Sequence, residues 1–460
     1  MRLPLQARDH RATVLVTALS SGFGVALLGL VSSIDQVTRA QSPGLAASAD
    51  GSLVLAVLAL VFLGLSVYVG ALVTANTFST IVAARTRTIA LLRLLGDTAA
   101  AQRRALVREG AVVGAVGAVA GAALGLGTSV LVLRVLVARG DAPDVAYSYV
   151  GGGMVLPPVA VVAATVLAAW SGSRGVGAVS PVAALDASQE ASTPEVRRRV
   201  ARTVLGALAL LAGAALLVAG VGIGAIDPTG VLVAFVGGVL SFSGVVALSH
   251  VVVPPALRLV GTLLGRSAPA RLARATTRQH PERSARSAVG LVIGVTLVTT
   301  FGTALQTLVA GLDAFAGPTS DEAFGGTLAV FSVLVGFSAV VAAVGMVNDL
   351  SLGVLQRRRE LGLLRALGLT AGQVRHMVLA EAAQLAVTAV VLGTVLGVVY
   401  GWAGAQSVLG SATHSLIVPE VPPVLLGALV VVTALLTVVA SLAPTRTATR
   451  VSPVEALRVA

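Results

Sequence analysis

Long apolar runs separated by short charged stretches dominate the chain. A bilayer core about 30 Å thick needs roughly 20 apolar residues per helix, and ten runs reach that length, near 12–34, 53–82, 109–137, 150–170, 203–226, 230–262, 287–310, 326–355, 376–404 and 422–443. The intervening stretches alternate in charge. One set carries Arg8 and Arg11, then Arg85, Arg87, Arg103, Arg104 and Arg108, then Arg197 to Arg199, Arg271 to Arg286, Arg357 to Arg359, and Arg446 and Arg450. The other set is mostly acidic, with Asp35, Asp50, Asp141, Asp144, Asp227, Asp313, Asp321, Glu322 and Glu420. The positive-inside rule then places both termini and every arginine-rich loop in the cytoplasm. The first run could pass for a secretory signal, but it is too long for one.

Composition agrees with this pattern. Of 460 residues, 56% are hydrophobic and only 11% charged, which marks a membrane protein. All 32 basic residues are arginine. Without lysine, G-x-x-x-x-G-K-[ST] cannot be spelled, so this chain cannot cradle ATP phosphates by that route. The absence of cysteine removes disulfides and thiolate chemistry, and the five histidines show no metal-binding spacing. A net charge of +12 would suggest nucleic acid in a soluble protein, but membrane topology accounts for these arginines, and no nucleic-acid partner is expected.

The chain is duplicated. Residues 85–99, RTRTIALLRLLGDTA, and 357–371, RRRELGLLRALGLTA, are identical at nine of fifteen positions at an offset of 272. The same offset pairs Asn76 with Asn348, Ser79 with Ser351, Glu109 with Glu381, Gly121 with Gly393, Gly125 with Gly397, and VSPVAAL at 179–185 with VSPVEAL at 451–457. Such self-similarity is the mark of an internal repeat. The expected architecture is an all-α polytopic membrane protein of about ten transmembrane helices: two four-helix repeats, 1–186 and 271–460, joined by a two-helix unit at 187–270. Because two helices intervene, the repeats run in the same orientation. Glycine and alanine rows in the third and ninth runs (Gly110, Gly114, Gly117, Gly121 and Gly125; Ala382, Ala386, Ala389, Gly393 and Gly397) allow close helix packing in lipid.

The two charged segments are amphipathic as helices. Ile89, Leu92 and Leu95 with Leu91, and Leu361, Leu364 and Leu367 with Leu363, form apolar stripes, while Arg87, Arg93, Arg359 and Arg365 project elsewhere. Gly96 and Gly368 are placed to end each helix, and Thr98 and Thr370 to cap the next. Lipid contact alone requires no particular sequence. Retention of the same residues on both faces therefore points to a protein partner met twice.

These segments, with Glu109, Glu381 and the closing VSPVEALR, resemble the FtsX-like permease family of ABC transporters, whose pattern is close to T-R-E-I-A-L-L-R-A-L-G-A-T and S-P-x-E-A-L-R. The resemblance implies that 85–98 and 357–370 are coupling helices that dock on a separate cytosolic ATPase, through Arg85, Arg87, Leu92, Arg93 and Gly96 in one copy and Arg357, Arg359, Glu360, Leu364, Arg365 and Gly368 in the other. It implies no cofactor in this chain, with ATP and Mg in the partner. Two coupling segments in one chain imply one permease chain and two ATPase subunits, in a bacterial cell membrane. The first copy departs from the pattern, with Thr88 in place of Glu360, and Ala183 and Asp186 in place of Glu455 and Arg458.

The loops 35–52 and 311–325 are too short to hold an external domain, which leaves a hydrophobic or membrane-embedded substrate such as a peptide, drug or lipid. Two other functions remain open on sequence grounds. One is a complex that senses antimicrobial compounds. The other is an ion-coupled transporter, disfavoured because the span centres lack the ionisable groups it would need. The polar residues His250, Gln306 and Gln384 within spans are candidate substrate contacts, although such groups more often bond a neighbouring helix.

Overall fold

The computed structural model describes residues 11–41, 49–84, 89, 91–92, 94–139, 147–148, 152–173, 193–263, 271–272, 274–275, 279, 281–316, 336, 340, 363–365 and 367–450. Among them there are ten long or medium α-helices and no strand. Seven helices are long and apolar enough to cross a membrane, and Leu63–Ser79 and Pro423–Val438 are shorter apolar helices. This is an all-α polytopic membrane protein. Helices suit this solvent because each satisfies its backbone groups internally where no water is available. The run expected at 326–355 lies outside the described residues, apart from positions 336 and 340.

The described helices fall into two compact units. The first contains α1 (Arg11–Gln41), α2 (Ala49–Ala84), α3 (Ala99–Arg139), a 3-10 turn at Gly152–Val155 and α4 (Leu156–Gly172). Prolines at the first positions of α4 cost no hydrogen bond there. α1 lies along α3, α2 packs on α4 and α1, and α3 packs on α4. The glycine row of α3 divides between two neighbours. Gly110 and Gly114 face Ala169 and Thr165 of α4, whereas Gly117, Gly121 and Gly125 face Thr17, Ala18 and Gly22 of α1. At this crossing the Ser21 hydroxyl donates to the Ala118 carbonyl at 2.8 Å and the Ser129 hydroxyl to the Ala26 carbonyl at 3.3 Å.

The second unit contains α5 (Thr193–Gly224), α6 (Gly230–Ala247), α7 (Ser249–Leu263), α8 (Pro281–Ala316), α9 (Ala371–Thr413) and α10 (Pro423–Arg450). α8 and α9 cross as α1 and α3 do: Gly393 and Gly397, the counterparts of Gly121 and Gly125, rest on Val295, Thr296 and Thr299 of α8. Val253 and Leu257 of α7 complete a core with Ala285, Ala288, Leu291 and Val292 of α8 and Ala382, Leu385 and Ala389 of α9.

Three features differ from the sequence expectation or add to it. The single span expected at 230–262 is two helices, broken at Leu248 with φ −83° and ψ 1°. Pro254 and Pro255 lack the N–H groups that the carbonyls of His250 and Val251 would accept from. α3 and α9 extend beyond their apolar runs at both ends, to 41 and 43 residues, or about 60–65 Å at 1.5 Å per residue. Hydropathy stops at the first arginines, but the helix runs on to its cap.

The third feature is a glycine heptad in the linking pair. Gly206, Gly213 and Gly220 on α5 recur every seven residues, as do Gly230, Gly237 and Gly244 on α6. Gly213 abuts Ser241, Gly220 abuts Ala234, and Gly237 and Gly244 abut the backbone at Leu217 and Leu210. A seven-residue repeat keeps one seam facing its partner along a supercoil. This antiparallel hairpin then docks on α9, where Ser241 donates to the Tyr400 hydroxyl at 3.1 Å and the Phe242 and Tyr400 rings meet edge-on at 6.0 Å.

Candidate functional site

Each charged segment meets its following long helix through a turn that glycine permits. Gly96 and Gly368 adopt φ +95° and +100°, a region that costs other residues but not glycine. In the first copy Asp97 N–H bonds back to the Leu92 carbonyl at 3.0 Å; in the second, Leu369 N–H bonds to the Leu364 carbonyl at 3.1 Å and Gly368 N–H to that of Arg365 at 3.1 Å. This is the pattern of a Schellman helix end. The next helix starts immediately. Thr370 and Gln373 form a reciprocal capping box at the start of α9, with bonds of 3.2 and 2.9 Å. At α3, Thr98 accepts the Ala101 N–H at 3.2 Å, and Ala101 has no side chain with which to reciprocate.

The segments are braced from beneath. In the first unit Ile89 is buried against Leu106, and the Gln102 amide donates to the Ile89 carbonyl at 3.3 Å. At the next position, the Arg103 guanidinium lies 4.5 Å above the Trp170 ring of α4 and donates to the Trp170 carbonyl at 3.3 Å. In the second unit Leu364 and Leu369 pack on Val374, Met377 and Val378 of α9. An apolar cluster there replaces the glutamine bond of the first copy.

The apolar stripe expected from spacing is thus divided. Ile89 and Leu364 turn toward their own long helix, and Leu92 is half-buried. Leu91 and Leu95 are 48% and 80% exposed, and their counterparts Leu363 and Leu367 are 51% and 72% exposed. Each segment therefore presents two leucines one turn apart in the same register, and the first copy also exposes Leu94, at 50%. Spacing could not separate the two stripes, because adjacent leucines populate both faces of so short a helix. Arg365 is partly buried beside this ridge. Arg85, Arg87, Arg93, Arg357, Arg359 and Glu360 lie outside the residues whose side chains are described.

The three intramembrane polar residues are not brought together. Gln384 on α9 is 1% exposed, and its amide donates to the Leu257 carbonyl at 2.6 Å, tying α9 to α7. His250 lies between the Thr203 hydroxyl of α5 and the Ala247 carbonyl, each 3.0 Å away, at the break between α6 and α7. Gln306 on α8 is exposed. Sequence reading missed a second polar tie at the opposite end of α9. There the Gln406 amide donates to the Ser415 carbonyl and accepts from Ile417 N–H, both at 2.9 Å, while the Trp402 indole donates to the Ile417 carbonyl at 2.7 Å. Among the described residues there is no group of three or more His, Cys, Asp or Glu that could hold a metal ion.

Comparison with known proteins finds the same duplication. Residues 60–181 and 332–453 each match the family described as FtsX-like permease C-terminal, together more than half of the chain, and the two matches differ by the same 272-residue offset as the repeat. A relative from Rhodopirellula baltica, named macrolide export ATP-binding/permease protein MacB, is 30% identical over 145 residues, covering 30% of this chain and 19% of that protein.

Proposed function

The chain belongs to the FtsX-like permease family, and on that premise we propose that it is the membrane permease subunit of an ABC transporter, driven by an ATPase on a separate polypeptide. The carrying observation is the pair of segments ending at Gly96 and Gly368, each capped in the same way and each presenting an exposed leucine pair. Burying such leucines on a partner is favourable by about 1.5–3 kcal/mol per fully buried side chain, which gives the ridge a reason to persist in both copies.

In this reading Leu91, Leu95, Leu363 and Leu367 enter grooves on two ATPase subunits. The flanking residues Arg85, Arg87, Arg93, Arg357, Arg359, Glu360 and Arg365 set register and charge, Leu92 and Leu364 hold each segment in position from its inner side, and Gly96 and Gly368 set the angle at which each segment meets α3 or α9. Closure of an ATP-bound dimer would move both segments, and the long helices would carry that motion across the bilayer. ATP and Mg stay with the partner, since these residues include no lysine for a phosphate loop. The substrate is a hydrophobic or membrane-embedded compound, exported or extracted from the bilayer. The name of the R. baltica relative, which joins macrolide export to ATP binding, supports that direction.

The test is co-expression with a cytosolic ABC ATPase from the same organism. One permease chain should bind two ATPase subunits. Leu95→Asp with Leu367→Asp should abolish co-purification while membrane insertion persists, and an Arg93→Ala/Arg365→Ala pair should weaken it. Unchanged co-purification and substrate-stimulated ATP turnover in both variants, or two permease chains per ATPase dimer, would overturn the reading.

A further inference from the structure

α3 and α9 are counterparts, but the ends far from the charged segments carry opposite surfaces on the same helix face. On α9, Ala403, Gln406, Ser407 and Gly410 are all buried. The hairpin of α5 and α6 covers them: Gly224 rests against Ser407, Gly410 against Ala225, and Ala403 clusters with Leu217 and Ala234. Gln406 is taken up by the strap at Ser415–Ile417. The counterparts at the offset of 272 are Leu131, Arg134, Val135 and Ala138 on α3, and all four are exposed. Where the second unit buries small and polar residues under its own hairpin, the first leaves two branched apolar residues around a single arginine.

Helix length fixes the depth of this patch. Thirty residues separate Arg104 from Arg134, about 45 Å at 1.5 Å per residue, and a bilayer with its headgroup layers is about 40–45 Å thick. With Arg104 at one headgroup layer, Arg134 reaches the other. Its guanidinium has no acidic or carbonyl partner among the described residues. An arginine at that depth rests its stem on apolar surface and directs its head to the interface, and its planar fork suits a phosphate.

We propose that the Leu131–Ala138 face of α3 is a lateral binding site for one anionic phospholipid in the leaflet opposite the charged segments, its phosphate on Arg134 and its acyl chain running from there toward the bilayer centre along Leu131. There is one such site per chain, because in the second unit the chain itself fills the equivalent position. This site is separate from the proposed ATPase contacts and does not depend on them.

The test uses the absence of cysteine in the chain. A bimane fluorophore is placed at Leu131→Cys in nanodiscs that contain chain-brominated phosphatidylglycerol or phosphatidylcholine, and at Val399→Cys, an exposed position on α9, for comparison. At Leu131→Cys the anionic lipid should quench at least twofold more than the zwitterionic one at equal mole fraction. That preference should vanish in Arg134→Gln and persist in Arg134→Lys, and Val399→Cys should show none. Equal quenching by both lipids at Leu131→Cys, a preference that survives Arg134→Gln, or no quenching at all would overturn the proposal. Each readout is independent of ATP turnover, so failure here leaves the permease assignment untouched, and the reverse also holds.

Discussion

Alanine at Gly237 and alanine at its neighbour Gly238 should have opposite effects on stability. At Gly237 a Cβ would lie 2.6 Å from Leu217 N, 2.8 Å from Gly213 O and 2.9 Å from Leu216 C, all backbone atoms of α5 that cannot swing aside. Ordinary contact begins near 3.4 Å, so the hairpin must open by about 0.8 Å at this point. Overpacking of this kind costs about 1–3 kcal/mol, offset by up to ~1 kcal/mol because alanine is the better helix former. The net expectation is a loss of about 1–2 kcal/mol. Opening the hairpin should also loosen the Ser241–Tyr400 contact on α9. At Gly238 a Cβ meets nothing within 4 Å, so only the propensity gain remains and the variant should match or exceed the parent. Reversible unfolding in bicelles by steric trapping measures both values directly. Equal destabilisation of the two variants, or a neutral Gly237→Ala, would refute the reading of the seven-residue glycine seam as a backbone-to-backbone contact.

Three further outcomes follow from local geometry. Gly96→Ala and Gly368→Ala meet no steric obstacle but force a positive φ, at about 1–2 kcal/mol each; hydrogen exchange should show faster opening at Asp97 and Leu369, while insertion into membranes is unchanged. Thr370→Val removes the capping box of α9 and should cost about 1 kcal/mol, visible as lost amide protection in its first turn, whereas Thr98→Val should cost less because only one side-chain bond is lost at α3. At the turn between α5 and α6 the Asp227 carboxylate accepts Thr229 N–H at 2.8 Å, and this bond lowers its pKa below the usual carboxylate range. A depressed folded pKa means the stabilisation is complete above the unfolded value of about 3.9 and is lost as pH falls through the folded one. Exchange protection at residues 227–230 should therefore hold down to about pH 4 and fade only below it, and loss of protection already near pH 6 would contradict this.

The sequence by itself determined the class of protein and its duplication. Ten apolar runs of bilayer length and a constant offset of 272 are one-dimensional signals, because a lipid solvent allows a spanning segment little choice but helix. The turn at each charged segment was equally legible: Gly96, Gly368, Thr98 and Thr370 act through their own backbone and near neighbours. What a residue touches across helices was not legible. Ile89 and Leu91 are apolar residues two positions apart in one segment, yet Ile89 is buried on Leu106 and Leu91 is 48% exposed, and only the packing decides which. Gly237 and Gly238 differ only in which one faces α5. Arg134 and Gln406 occupy equivalent positions in two copies of one helix, and the hairpin that covers the end of the second copy comes from elsewhere in the chain. Local propensity and solvent transfer act on residues one at a time and can be read from sequence, whereas burial is a property of pairs of surfaces, which exist only once the helices have packed.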